Sequence, residues 1–465
     1  MRLVAILRRL PQMIAPALVF LVALGSGLYW GRPALRALVA LAIILSPLRG
    51  GLLALANDVG IGDSDLAVNA LVPALVAALA IGVAFRLRPG LQTISKPLLV
   101  GWSLIVCMAI VSFFVQTVGF KLYGIGVAQY LVYPTLAIAA WPLLKPGDLR
   151  KLSRLSIVMG LVVAVTVLVQ ATGVESFIQS AGAEVDGLAA NRYAGITGSY
   201  LHTSAYLGIA AVLLMGELLQ LSSLRRMAGG TALLGVILCG QILTFSRSGV
   251  VIAGLGAAAL LLFAARHRRL AFLSMLGPAI GVALVVGAIG GVSPDAAGAR
   301  VGSGFDPTGD EGNSLRSRAF SQGLTRFREA DPLNQLLGEG LAATGNARRL
   351  ASGEVITVES YYLKLLLEVG VLGVVLIGGF LIWATVFFIR RIWDRRSPWP
   401  ASIAASGLGL SLYNVIYPAL ETQILALTWW LLLALCLRYE VDAPTTSEVR
   451  EESVALSGRS LLEVR

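Results

Sequence analysis

Charge is what this chain has least of. Charged side chains make up 14% of its 465 residues and hydrophobic ones 57%, where soluble domains carry about a quarter charged residues. That shortage excludes an ordinary cytosolic protein, and the apolar excess excludes disorder. Histidine is nearly absent: His202 and His267 are the only two. The three cysteines, Cys107, Cys239 and Cys436, lie singly within apolar runs and form no CxxC or Cys/His spacing. Neither a zinc centre nor a disulfide framework has the residues it needs, so no metal and no cofactor is expected. A net charge of +11 raises the question of nucleic acid. Lys and Arg, however, fall in short clusters between apolar runs, a pattern of membrane topology and not of a DNA-binding face. No nucleic acid partner is expected.

What is abundant is apolar segments close to the roughly 20 residues that a helix needs to cross a bilayer. They lie near 12–30, 34–48, 66–85, 97–118, 123–144, 155–172, 200–221, 228–245, 249–265, 270–291, 365–389, 400–418 and 421–438. The expected fold class is therefore all-α, a polytopic membrane protein of about 12 (12–13) transmembrane helices. The first run reads as a span and not as a cleavable signal, since no small-residue cleavage site follows Arg8, Arg9 and their long apolar stretch.

Orientation follows from Lys and Arg in short loops. One alternate set carries Arg86, Arg88 and Lys96, then Lys145, Arg150, Lys151 and Arg154, then Arg225 and Arg226, then Arg266, Arg268 and Arg269. It continues with Arg390, Arg391, Arg395 and Arg396 and ends at Arg438. The opposite short loops hold little beyond Lys121, Arg192 and Arg247. The first set is read as cytoplasmic. Arg2, Arg8 and Arg9 argue for a cytoplasmic N-terminus as well, so the weak 34–48 segment, which contains Arg36 and ends before Arg49, is expected not to cross fully. Residues 1–291 are then transmembrane helices with short loops, 292–358 a large outer loop, 359–438 further spans and 439–465 a cytoplasmic tail. Within the large loop, 314–332 places Leu315, Phe320, Leu324 and Phe327 at helical spacing. That spacing predicts an amphipathic helix over the outer face.

Three outer-side charges are candidates for chemistry, because a charge stranded at a span end is costly without a partner. Arg192 precedes the 200–221 span in AANRYAGITGSYLHTSAYLG, where Gly195 and Gly198 permit a tight turn and Ser199 or Thr203 can cap the helix. An arginine beside a helix N-terminus suits a phosphate; the plainer reading is an arginine snorkelling to headgroups. Arg247, in ILTFSRSGVVIAG, lies between two apolar runs with almost no loop, beside Ser246 and Ser248. It suits an oxyanion or marks only a tight turn. Glu359, in VESYYLKLLLEVGVLG, stands where the large loop re-enters the apolar region. It is a candidate general base, or an acid favoured by the helix dipole.

Taken in order, the segments are Arg-x-x-Gly-x-x-Gly-Ser, then T-F-S-R-S-G, then a long outer loop with R-S-R…F…DP…LLGEGL, then E-S-Y-Y-L-K-L-L-L-E-V-G-V-L-G. This series resembles the superfamily of O-antigen ligases and O-antigen or exopolysaccharide polymerases (Wzy/WaaL-like), across 189–375. The resemblance implies a GT-C-like inverting glycosyltransferase of the bacterial inner membrane, its active site facing the periplasm. Its partners would be an undecaprenyl-pyrophosphate-linked glycan donor, a glycan acceptor, membrane lipid and, as an open question, a chain-length co-polymerase. Arg192 and Arg247 would hold the pyrophosphate, with Arg316 and Arg318 adding to that grip. His202, Tyr361 and Tyr362 would line the cavity, or serve as a polar cap and an interfacial aromatic belt. Ligases that use lipid A-core have a histidine where this chain has Glu359. That departure favours a polymerase joining lipid-linked repeat units, with Glu359 taking the acceptor's proton. A ligase is the first alternative and a lipid-linked sugar transporter or flippase the second.

Overall fold

The computed structural model describes residues 2–58, 64–88, 94–115, 119–172, 184–185, 188–221, 223–264, 269–289, 311–345, 358, 360–393 and 397–442. Helices dominate, as they must where hydrocarbon offers the backbone no hydrogen bonds. They are α1 (Arg2–Trp30), α2 (Arg32–Leu45), α3 (Arg49–Asp58), α4 (Ser64–Leu87), α5 (Lys96–Val115), α6 (Phe120–Ala140) and α7 (Pro146–Ala171). After a short antiparallel pair, β1 (Glu184–Val185) and β2 (Leu188–Asn191), and a 3-10 turn (Gly195–Thr197), come α8 (Tyr200–Leu218), α9 (Leu224–Leu243), α10 (Arg247–Ala259) and α11 (Arg269–Ile289). The outer loop contributes α12 (Glu311–Glu329) and α13 (Pro332–Leu337). Then follow α14 (Tyr361–Gly373), α15 (Gly379–Trp393), α16 (Pro398–Ile416), a 3-10 turn (Ala419–Glu421) and α17 (Gln423–Asp442). The small hairpin is the one departure from an all-helical expectation among the described residues.

Among the described residues, seven helices are long and apolar enough to cross a membrane, eight if α2 and α3 form one bent span. Shorter apolar helices cover Ala15–Trp30, Arg247–Leu262, Leu273–Ala283 and Gln423–Tyr439. Large apolar side chains such as Leu21, Phe114, Val285 and Ile382 point outward, as they do in a polytopic membrane protein. The central post is α8, buried from Thr203 to Leu218. Small residues let its neighbours approach it: Gly160 of α7 faces Ala210, Gly208 faces Gly249 of α10, and Gly216 faces Ser402 of α16.

Among the described residues, one end of the bundle gathers Arg36, Arg150, Arg154 and Arg438. Arg150 Nε and Nη2 grip both Glu217 oxygens at 2.9 and 2.8 Å, Arg154 adds contacts at 3.3 and 3.2 Å, and Gln220 reaches Ser397 Oγ at 2.7 Å. Arg36 Nε donates to Leu143 O at 2.9 Å, and Arg438 stacks 5.3 Å over the Trp141 ring.

The 34–48 segment departs from its expected role. Helix α2 leaves the basic end at Arg36, and its continuation α3, bent by 78°, presses Gly50 against Gly198 beside the start of α8. The segment therefore links the two ends of the bundle. Gly31, at φ +68, turns α1 into α2 beside Arg86, so it is the C-terminal end of α1 that lies at the basic end.

The second departure is α14. Gly370, at φ 66 and ψ −170, breaks it, and the chain doubles back: a Cβ on Gly378 would meet the Tyr362 ring at 3.7 Å, whereas a straight helix separates those positions by about 24 Å. The break frees the carbonyls of Leu367 and Glu368, which instead accept from Glu339 N at 2.9 Å and Gly340 N at 3.1 Å. Residues 340–344 are buried non-helical backbone, with Leu341 N donating to Ser112 Oγ at 2.8 Å. Such backbone is tolerated at depth only where protein satisfies it.

The amphipathic helix of the outer loop forms as α12. Leu324 and Phe327 pack on Val358, Leu363 and Leu367, while Phe320 stays exposed. Arg326 clamps Glu339, its Nε donating to Oε1 at 2.7 Å and its Nη2 to Oε2.

Candidate functional site

At the end opposite the basic loops, two helices start side by side. Gly198, at φ 76, ends the 3-10 turn and delivers Ser199 as the N-cap of α8. A turn through Phe245, at φ 47, delivers Ser246 as the N-cap of α10. Ser204 Oγ stitches the two together, donating to Ser246 O and accepting from Gly249 N, both at 3.0 Å. Neither N-cap serine bonds its own helix's amides through its side chain, and Ser246 Oγ pairs instead with Ser248 Oγ at 2.8 Å. The expected Ser199 cap is therefore not made, and Thr203 Oγ1 donates back to Ala194 O. Both helices turn the positive ends of their dipoles, with first-turn N–H groups, toward the same end of the bundle.

Arg192 and Arg247 belong to this place. Arg247 is the first residue of α10. The segment carrying Arg192 is tied to the end of α9 by Tyr193 N donating to Leu243 O at 3.3 Å. Arg192 Nη1 donates to Tyr200 OH at 2.8 Å, with its guanidinium 4.8 Å over that ring. Around these starts, several buried N–H donors have no acceptor among the described residues: Arg192 Nε, Gln170 Nε2, Gln241 Nε2 and Asn69 Nδ2. Gln170 receives Gly195 N at 2.9 Å, and Gln241 Nε2 lies 2.5 Å from where a Cβ on Gly249 would stand. Buried donors without acceptors are rare in native folds, and this group suits a ligand rich in acceptor oxygens.

Arg316 and Arg318 are placed differently. They lie on α12, which is seated on α14 through Leu324 and Phe327, so the described contacts group them with another pair of elements. Glu359 lies outside the described residues; Ser360 after it is the N-cap of α14.

His202 Nε2 stands 3.2 Å from Tyr417 OH, facing the turn between α16 and α17. That turn leads to a cluster the sequence reading passed over. Lys364 Nζ lies 2.5 Å from Glu368 Oε1 and 3.5 Å from Glu421 Oε1. All three side chains are at most 2% exposed. Tyr130 OH donates to Glu368 Oε2 at 2.8 Å, and Thr344 N and Oγ1 donate to Glu368 Oε1 at 3.2 and 2.9 Å. Tyr361, expected at a cavity wall or in an interfacial belt, is instead buried against Tyr130, with ring centroids 6.4 Å apart. Tyr362 is half-buried against the doubled-back chain. The readable signal was the i,i+4 spacing of Lys364 and Glu368 inside an apolar run, since intramembrane ionisable residues are functional candidates by default.

Comparison with known protein families gives no match, and none of the curated proteins matches either.

Proposed function

We propose that the protein is a membrane glycosyltransferase that polymerises undecaprenyl-pyrophosphate-linked oligosaccharide repeat units at the periplasmic face of the bacterial inner membrane. The observation that carries this reading is the pair Arg192 and Arg247 at two adjoining helix N-termini, among buried N–H donors that lack acceptors. Forked, permanently charged donors and helix ends are what a pyrophosphate leaving group requires. The seven long apolar helices among the described residues, the bent α2–α3 pair and the four shorter apolar helices are in keeping with a polytopic membrane enzyme.

In the reaction, the acceptor hydroxyl oxygen bonds to the donor's anomeric carbon as the bond from that carbon to the pyrophosphate oxygen breaks. Electrons leave on the lipid pyrophosphate, where Arg192 and Arg247 meet the charge. Glu359, by the sequence resemblance, takes the hydroxyl proton, and attack from the opposite face inverts the carbon. The test is purified protein in lipid with one lipid-linked repeat unit as sole substrate. A ladder of longer lipid-linked glycans, lost in Arg192→Ala and in Arg247→Ala proteins that still fold, is expected. Full activity in either variant removes the pyrophosphate role, and transfer only when lipid A-core is supplied makes the protein a ligase.

A second reading, a transporter of lipid-linked sugars, draws on two other features. These are the broken helices α2–α3 and α14, and the buried Lys364–Glu368–Glu421 cluster; discontinuous helices and buried ionisable groups are common in transporters. Movement of the labelled lipid across vesicles without any transfer would select it.

A further inference from the structure

We propose that Arg49 is a third arginine of the anion seat, binding the pyrophosphate of the polyprenyl carrier together with Arg192 and Arg247. The inference rests on the reading of that seat given above and adds a residue from a separate part of the chain. Helix α2 carries an arginine to each end of the bundle: Arg36 joins the basic end through Leu143 O, and Arg49 begins α3 after the 78° bend. An arginine at the end opposite the basic loops runs against the usual distribution of positive charge.

Its surroundings supply an address. Gly50, the next residue, lies against the backbone of Thr197 and Gly198, the turn that delivers the N-cap of α8. Arg49 Nε donates to Asn69 Oδ1 at 2.6 Å, which fixes the plane of the guanidinium. The Nδ2 of Asn69 is one of the buried donors without an acceptor, as are the Nε2 atoms of Gln170 and Gln241, residues only 7% and 3% exposed. Arg49 at the start of α3, Arg192 in the segment after β2 and Arg247 at the start of α10 therefore all belong to parts of the chain that meet the start of α8, beside these donors. The chemistry fits a leaving lipid pyrophosphate, which gains negative charge as its bond to the sugar breaks. A further forked cation placed there is matched to that added charge.

The experiment measures binding of undecaprenyl pyrophosphate to the full chain in phosphatidylcholine nanodiscs, with phosphatidylglycerol as a competing phosphate source. Arg49→Gln, which keeps a donor for Asn69 but not the charge, is expected to bind about tenfold to a hundredfold more weakly. Arg49→Lys should recover part of that loss, and Asn69→Ala, which removes only the tether, should lose less than Arg49→Gln. Phosphatidylglycerol in excess should not displace the probe; displacement would make the site a general headgroup site and overturn the pyrophosphate assignment. Wild-type binding by a folded Arg49→Gln protein overturns the inference, as does an equal loss in Asn69→Ala, which would make Arg49 a structural pin. If Arg192→Ala and Arg247→Ala lose binding while Arg49→Gln does not, only this inference fails. If none of the three loses it, the seat itself fails.

Discussion

Replacing Gly50 by alanine tests whether the bent span controls the site. The added Cβ would stand 2.5 Å from Gly198 Cα and 2.6 Å from Thr197 C, and closer still to Gly198 N. These are backbone atoms of a turn in which Gly198 already holds φ +76, so no side chain can swing aside. Ordinary carbon contacts need about 3.5 Å, so α3 and the turn must separate by about 1 Å. Overpacking of this kind costs about 1–3 kcal/mol. A 1 Å misplacement in a reacting constellation lowers the rate by about a hundredfold. Gly50→Ala protein should thus show a lower thermal midpoint in detergent and a transfer rate on the lipid-linked repeat unit reduced by about two orders of magnitude. Gly124→Ala is the control: nothing lies within 4 Å of that position in α6, and alanine in a helix interior gains about 0.5–1 kcal/mol over glycine. Wild-type stability and transfer in Gly50→Ala would refute the claim that the contact between α3 and the α8 turn positions the site.

Lys364→Met leaves Glu368 and Glu421 buried without their ammonium and should cost about 3–5 kcal/mol, read as a fall in thermal midpoint or in folded yield. Adding Glu368→Gln and Glu421→Gln to it removes the charge while keeping the shapes, and should restore most of that loss. Glu217→Gln should destabilise by only about 1 kcal/mol, because Arg150 and Arg154 have side chains 40% and 58% exposed and can rehydrate. The midpoint difference from wild type should shrink as salt is raised.

The sequence disclosed the membrane class, the grouping of Arg150, Arg154 and Arg438 at one end, and the amphipathic α12, because each rests on a local pattern of charge or hydropathy. The pairing of Arg192 with Arg247 came from the family resemblance of their motifs and not from hydropathy. Other features were illegible for physical reasons. Hydropathy sees only apolar residues, so the charged start of α7 at Asp148, Arg150 and Lys151 reads as loop although it is helical. Nothing local distinguishes Gly370 from the many glycines of apolar runs; what sets it apart is tertiary, its φ of +66 and the backbone of Leu336 and Gly338 standing where a Cβ would be. Arg49 reads as a topological marker because its neighbours in space, Asn69 and the α8 turn, are distant in sequence. Glu421 joins Lys364 only through tertiary packing, and no spacing rule reaches across that separation.

The hydrogen bonds from Glu339 and Gly340 to the broken α14 also limit how this protein can be recombined. A foreign outer loop joined just before residue 358, or a deletion reaching through 338–345, would leave the carbonyls of Leu367 and Glu368 bare in an apolar surrounding. It would also remove Thr344 from Glu368. Grafts that preserve the body must keep α13 and the segment after it together with α14, and place their upstream junction before Pro332. Part of what looks in the sequence like a detachable extramembrane insert is thus heritable only as one piece with the helix that follows it.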